Sequence, residues 1–178
     1  MAVIIGGDAN AYGIARAFHE QYAIKSLVVS KVLRGMVNHS KIIDNIIEPD
    51  LENNKVFLKT LIKIAKDRRF KKLILLAAGD WYVRLIIENR AKLNKYYIIP
   101  YIDKDLMNKL ILKDSFYRLC EEFKIDYPKT FVYDLNHPSK LIFPFSYPII
   151  VKPSNSVTYH YVAFENKKKV YTFNQLSD

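Results

Sequence analysis

One cysteine stands in the 178 residues, Cys120. A lone thiol excludes an intramolecular disulfide framework and suits a reducing compartment. No apolar run reaches the ~18 residues that a membrane-spanning helix needs; the longest, "KLILLAA" and "YPIIVK", are strand-sized. The chain opens directly into an apolar strand pattern, without the charged region, apolar core and cleavage site of a secretory signal. These absences predict a cytoplasmic protein. Internal repeats and low-complexity tracts are also missing. Acids are scarce beside bases, 18 against 28, for a formal net charge of +10. The basic residues are nevertheless scattered, with short clusters only at Lys66–Lys72 and Lys167–Lys169. No helical pattern carries a continuous basic stripe interleaved with stacking aromatics, so nucleic acid is not the expected partner. A scattered positive balance suits small polyanions such as nucleotide phosphates.

What is present is an ordinary globular composition, 50% hydrophobic and 26% charged. The length allows one full domain of ~100–150 residues and part of a second. Ala2–Gly6 reads as a buried strand, followed by a helix with Ile14, Phe18 and Tyr22 on one face. "SLVVS" (Ser26–Ser30) is a second strand. After a polar stretch, "NNKVFLKTLIKIAKD" places Leu58, Leu61, Ile62 and Ala65 at helical spacing, with Asn53 or Asn54 as cap. "KLILLAA" and "YYIIP" are further strands, separated by a helix through Val83, Ile86 and Ile87. Strand–helix alternation with near-continuous apolar strands predicts an α/β fold, a parallel sheet covered on both faces. Ligands of such sheets bind beyond the carboxyl ends of the strands. "GGDANAYG", "AAGDWY" and "PYID" all fall at that edge and are expected to converge on one crevice.

The pattern changes after Pro100, predicting a first domain over residues 1–102 and a second region over 103–178. "DKDLMNKLILKDSFYRLCEEF" is helical, with Phe116, Leu119, Cys120 and Phe123 as its apolar stripe. A short strand is expected in "IDYPKTFVYD", another in "YPIIVK", and a hairpin in "HYVAFENKKKVYTF". Three or four strands of this kind do not close a core, and the region reads as cut short.

The first glycine turn looks like a dinucleotide fingerprint but departs from it. Gly-x-Gly-x-x-Gly requires a spacing that Gly6, Gly7 and Gly13 do not have. No acid follows the second strand where ribose hydroxyls would sit. Lys31 or Arg34 there could meet a 2′-phosphate, so an NADP-dependent oxidoreductase stays among the alternatives. The turn either offers helix amides to a carboxylate or phosphate or simply permits the chain reversal. Asp8, Asn10 and Arg16 flank it as candidate contacts to an amino-acid or precursor substrate, Arg16 reading equally as a surface residue. Asp80, beside Trp81, either faces the same crevice or caps its helix. His19, His39, His137 and His160 lack metal-ligand spacing.

Two lysines carry the chemistry. Lys152 closes the strand "YPIIVK" ahead of the small polar loop Ser154–Asn155–Ser156. Lys113 precedes the helix "DSFYRLCEEF". An ammonium at the end of a buried strand needs a counter-charge, and a phosphate supplies one. The progression "LILKDSFYRLCEEFKIDYPKT" then "FSYPIIVKPSNS" resembles the entry into the ATP-grasp ligases, and the preceding domain resembles their Rossmann-like pre-ATP-grasp domain. "GGDANAYGIARAFHEQY", "AAGDWYVRLI", "YIIPYIDKDL" and "YPIIVKPSNSVTYHY" are similar to the N-terminal part of the bacterial D-aspartate ligase family.

That resemblance implies ATP and Mg²⁺ as cofactors. It implies Lys113 and Lys152 on the ATP phosphates and adenine region, and Ser154 and Ser156 in a loop over the phosphates. It implies a reaction joining D-aspartate through an acyl phosphate to the lysine side chain of a peptidoglycan precursor, UDP-MurNAc-pentapeptide. The family's metal ligands and adenine hinge are expected beyond Asp178, so no catalytic or metal-binding residue is expected within this chain, and no ligase activity from it alone. A ligase acting on another amino acid or amine, and a stand-alone nucleotide-binding domain, are the other readings.

Overall fold

A computed structural model of the chain describes residues 1–32, 34–67, 73–137, 144–155, 158–159 and 162–175. The described chain divides into two compact units, Met1–Lys104 and Asp105–Asp178. The first contains β1 (Ala2–Ile5), α1 (Ala9–Tyr22), β2 (Ser26–Ser30), α2 (Gly35–Asn38), β3 (Ile43–Ile47), α3 (Asn54–Asp67), β4 (Leu73–Ala77), α4 (Asp80–Glu88), α5 (Arg90–Leu93) and β5 (Tyr97–Ile98). All five strands pair in parallel in the order β3-β2-β1-β4-β5. The order reverses between β1 and β4, the switch point at which open α/β sheets bind ligands.

Strand periodicity sorts the core into two layers. Val3 and Ile5 of β1 face one side and cluster with Leu27, Val29, Leu75, Phe57, Leu61, Leu85, Ile86 and Leu93, so α3, α4 and α5 cover that face. Ala2 and Ile4 face the other and meet Val28, Ala11, Ala15, Val37 and Ile43. The expected apolar face of α1 is therefore shifted. Its buried residues are Ala11 and Ala15, while Tyr22 is 63% exposed at the last helical position. Small side chains let that helix lie close to the sheet.

The polar stretch between β2 and α3 conceals a strand that the sequence pattern did not predict. β3 is an edge strand with only Ile43 buried, and "IDNII" interrupts its apolar run with Asp44 and Asn45. Lys25 reaches Asp44 at 3.7 Å, and Asn45 donates from Nδ2 to the Val37 carbonyl at 3.1 Å. Charges along an edge also discourage a further strand from adding there. Asn53 accepts from the amides of Lys55 and Val56 and caps α3, as expected.

Tyr97 and Tyr101 turn their hydroxyls inward, onto backbone groups of the first unit. Tyr97 donates to the Leu61 carbonyl at 2.7 Å, and the Tyr101 hydroxyl accepts from the Ala77 amide at 2.8 Å. Burial pushes both phenols above their ordinary value, opposed at Tyr101 by the Ala77 N–H. A raised folded-state value means that the contribution is complete below the unfolded value, near pH ~10, and is lost as pH rises from there toward the folded value. Tyr97, the more deeply buried of the two, is expected to remove up to about 1.4 kcal/mol of stability per pH unit over that window, and Tyr101 less. Urea titrations at pH 9, 10 and 11 should show the slope, and Tyr97→Phe should reduce it; an unchanged slope in the variant would remove Tyr97 as its source.

In the second unit lie α7 (Lys113–Glu122), β6 (Ile149–Val151) and β7 (Tyr171–Phe173), and α6 (Lys104–Ile111) begins at the unit boundary. β6 and β7 form an antiparallel pair, Ile149 opposite Phe173. Residues 125–134 contain no strand, and the expected hairpin is replaced by this longer-range pairing. Its first run falls partly on His160 and Tyr161, outside the described residues. Cys120 is buried on α7, but the stripe around it is only partly covered, with Phe123 66% exposed.

Candidate functional site

The first unit has a cavity of about 410 Å³ at the carboxyl ends of β1, β2 and β4, lined by Gly6, Gly7, Asp8, Ser30, Lys31, Val32, Arg34, Glu52, Ala78 and Tyr82. "GGDANAYG" and "AAGDWY" do converge there. "PYID" contributes no lining residue; its Tyr101 supports β4 from the Ala77 amide instead. The glycines are needed sterically. Gly6 has φ +117°, and a Cβ on Gly7 would lie 2.8 Å from the Ser30 Cβ.

The amides behind the turn are already engaged. Asp8 is the N-cap of α1 and accepts from the Asn10 and Ala11 amides at 3.0 and 3.1 Å. Its second oxygen accepts from Asn10 Nδ2 at 3.3 Å. An incoming anion would have to displace this carboxylate. The structure thus uses Asp8 and Asn10 in a cap, where the sequence suggested substrate contacts.

Arg16 pairs with Glu20 at 2.6 Å on the exposed side of α1, and this contact raises the guanidinium above its ordinary value. It does not line the cavity. Asp80 is exposed in the first turn of α4, whose capping position is Gly79, and it lies outside the lining. Lys31 is bonded to Glu52 at 3.0 Å, and Arg34 lines the same cavity. Glu52, Ser30 and Tyr82 were not singled out from the sequence. Each is an unremarkable polar or aromatic residue until the sheet order brings β2 and α4 beside the turn.

The second unit brings Lys113 to the segment that follows Lys152. Lys113 begins α7, and its Nζ donates to the Pro153 carbonyl at 2.9 Å and the Ser154 carbonyl at 3.4 Å. Its backbone amide also donates to the Ser154 carbonyl at 3.4 Å. Ser154 Oγ donates to Asp114 Oδ1 at 2.7 Å, and Asp114 Oδ2 accepts from Arg118 Nη2 at 2.8 Å. The Ser154 bond, with Arg118 assisting, holds the Asp114 carboxyl below its ordinary range.

Lys152 itself is exposed, and so are Ile150 and Val151 beside it. The expectation of an ammonium stranded on a buried strand fails, because β6 has β7 as its only sheet neighbour among the described residues and only Ile149 of its three residues is buried. Ser156 lies outside the described residues. No group of three or more His, Cys, Asp or Glu side chains among the described residues could hold a metal ion, and no described helix is long and apolar enough to cross a membrane.

Over 176 residues, 95% of this chain, the sequence is 37% identical to the D-aspartate ligase of Enterococcus faecium (strain Aus0004). The chain is homologous to part of a D-aspartate ligase. It spans 42% of that relative's length. No protein-family model matches. The L-amino acid ligase of Bacillus licheniformis, a solved structure, superposes with a TM-score of 0.63 at 13% identity, over 99% of this chain and 39% of that one. At that identity the likeness is one of fold, and it agrees with the α/β architecture expected from the strand–helix alternation.

Proposed function

We propose that the chain is part of an ATP-dependent carboxylate–amine ligase of the ATP-grasp type, and that it contributes the first cationic contacts to the nucleotide. The observation that carries this reading is the bond from Lys113 Nζ to the Pro153 carbonyl, which sets one cationic side chain against the backbone immediately after the other, Lys152. Lys113 and Lys152 meet the ATP phosphates, with Ser154 in the segment over them; Ser156 is assigned to that loop from the sequence alone. The cavity beside Gly6 and Gly7 receives the amino acid or the acceptor, with Asp8 and Arg34 in its lining; Asn10 and Asp80, outside that lining, are the further candidate contacts. Arg16, committed to Glu20, lies on the same helix.

Homology to a D-aspartate ligase supports D-aspartate as the activated acid and the lysine side chain of UDP-MurNAc-pentapeptide as the amine. A β-carboxylate oxygen of D-aspartate attacks the γ-phosphorus as the bond to ADP breaks. The ε-amine then attacks the acyl carbon, phosphate leaves, and the nitrogen loses a proton to give the amide. The lysines act by neutralising charge on the transferred group and by fixing its position. Mg²⁺ would supply further neutralisation when bound; its ligands lie outside the described residues. The reaction belongs in the cytoplasm, where ATP and the precursor are made, and the 178 residues alone form no amide.

Amide-resolved NMR titration of the chain tests this. ATP with Mg²⁺ should shift the amides of Lys113–Ser115 and Val151–Asn155, while NADP leaves Ser30–Val32 and Arg34 unmoved. NADP shifting those residues while ATP leaves Lys113 and Lys152 unmoved would replace the ligase reading with a dinucleotide-dependent one. Amide formation by the chain with ATP, D-aspartate and an acceptor would refute its inactivity.

A further inference from the structure

Asp114 has no role in the sequence pattern, yet it sits at the centre of the second unit's bonding. It belongs to the first turn of α7 and is four residues from Arg118 on that helix. Its other oxygen reaches across the chain to Ser154 at 2.7 Å. The adjacent residue, Lys113, holds the same segment by its carbonyls through the amide and the ammonium. The start of α7 therefore grips Pro153 and Ser154 from two chemically opposite sides, a cation on their carbonyls and an anion on the hydroxyl. A carboxylate that accepts a hydroxyl proton is a strong, directional anchor. Arg118 keeps that carboxylate oriented, because the two oxygens are divided between the two donors.

We propose that Asp114 is a positioning residue, holding the segment after Lys152 against the start of α7 through Ser154 so that the two lysines are presented together to an anionic nucleotide. The carboxylate itself does not touch the phosphates, which it would repel. Its effect is exerted through the placement of Ser154. This rests on the reading of Lys113 and Lys152 as nucleotide contacts, but the holding of the segment can be measured without any nucleotide.

The test is exchange of the Lys113 amide hydrogen, which donates to the Ser154 carbonyl, in the 178-residue chain, for wild type, Asp114→Ala, Ser154→Ala and the double variant. Each single variant should speed exchange by about tenfold, equivalent to ~1.4 kcal/mol of lost protection, and the double variant should add little to either. Asp114→Asn, which keeps an acceptor for the hydroxyl, should recover most of the protection. Arg118→Ala should have a smaller effect than Ser154→Ala, since it loosens the carboxylate but spares the Ser154 bond. Ser154→Ala alters an exposed loop residue and leaves the fold intact, so it decides the matter if Asp114→Ala unfolds α7. In ATP titrations both single variants should weaken the apparent affinity several-fold, and to a similar extent. Unchanged exchange in Ser154→Ala, or additive effects in the double variant, would overturn the role of Asp114. Faster exchange with unaltered ATP affinity would overturn the link to the nucleotide. Failure of the wild type itself to bind ATP would overturn that link too and strike the ligase reading, leaving exchange to decide the anchor.

Discussion

Replacing Lys113 by methionine is expected to weaken ATP binding at least tenfold. Methionine keeps an unbranched stem of similar length, so the packing of the aliphatic part at the start of α7 is retained and the charge alone is lost. A hydrogen bond to a charged group contributes roughly 1.5–3 kcal/mol, or about ten- to a hundredfold in affinity. The amine now rests on two backbone carbonyls, neutral acceptors that a triphosphate would outcompete electrostatically. Lys152→Met should act in the same direction. Lys31→Met is the control, because Lys31 belongs to the first unit and is paired with Glu52. The titrations must share one ionic strength, since salt screens such contacts. An affinity for Lys113→Met within twofold of wild type would remove this side chain from the nucleotide site.

Phe57→Ala is expected to cost about 3–5 kcal/mol, the range for deleting a fully buried aromatic ring. Phe57 is 0% exposed and heads the fully enclosed side chains by volume. It lies on α3 within the cluster that joins that helix to β1, β4 and α4. Removing the ring would leave a void between helix and sheet that neighbours pinned in regular elements fill only in part. Domains have a total stability of only ~5–15 kcal/mol, so a large part of the reserve would go. Urea unfolding followed by the Trp81 fluorescence of the first unit measures it. A loss below ~1 kcal/mol would mean that α3 is not the lid of this core.

The parallel sheet was legible because inner strands such as "AVII" and "LILLA" are apolar from end to end. β3 was not, because an edge strand tolerates Asp44 and Asn45 where an inner strand would not. In the second unit, residues 125–134 alternate like a strand but form none among the described residues, and Tyr171–Phe173 pairs with Ile149–Val151. Local pattern cannot choose among distant partners. Lys113 stood out by its position ahead of a helix, and the structure sets its Nζ on the Pro153 and Ser154 carbonyls. Asp8 was found but its use was not, since a cap and a substrate contact require the same side chain. Asp114 was overlooked because its significance depends on Ser154, which sequence places far away.

The Asp8 cap has a consequence for how such chains are sorted. A turn of this shape keeps a place for an anion, and here the protein's own carboxylate occupies it. The cavity beside the turn is therefore open while its helix-end amides are taken, and the positive charge left in its wall comes from side chains, Lys31 and Arg34. An aspartate directly behind a paired glycine, at the spacing of a helix cap, marks a turn whose amides are taken without closing the cavity beside it.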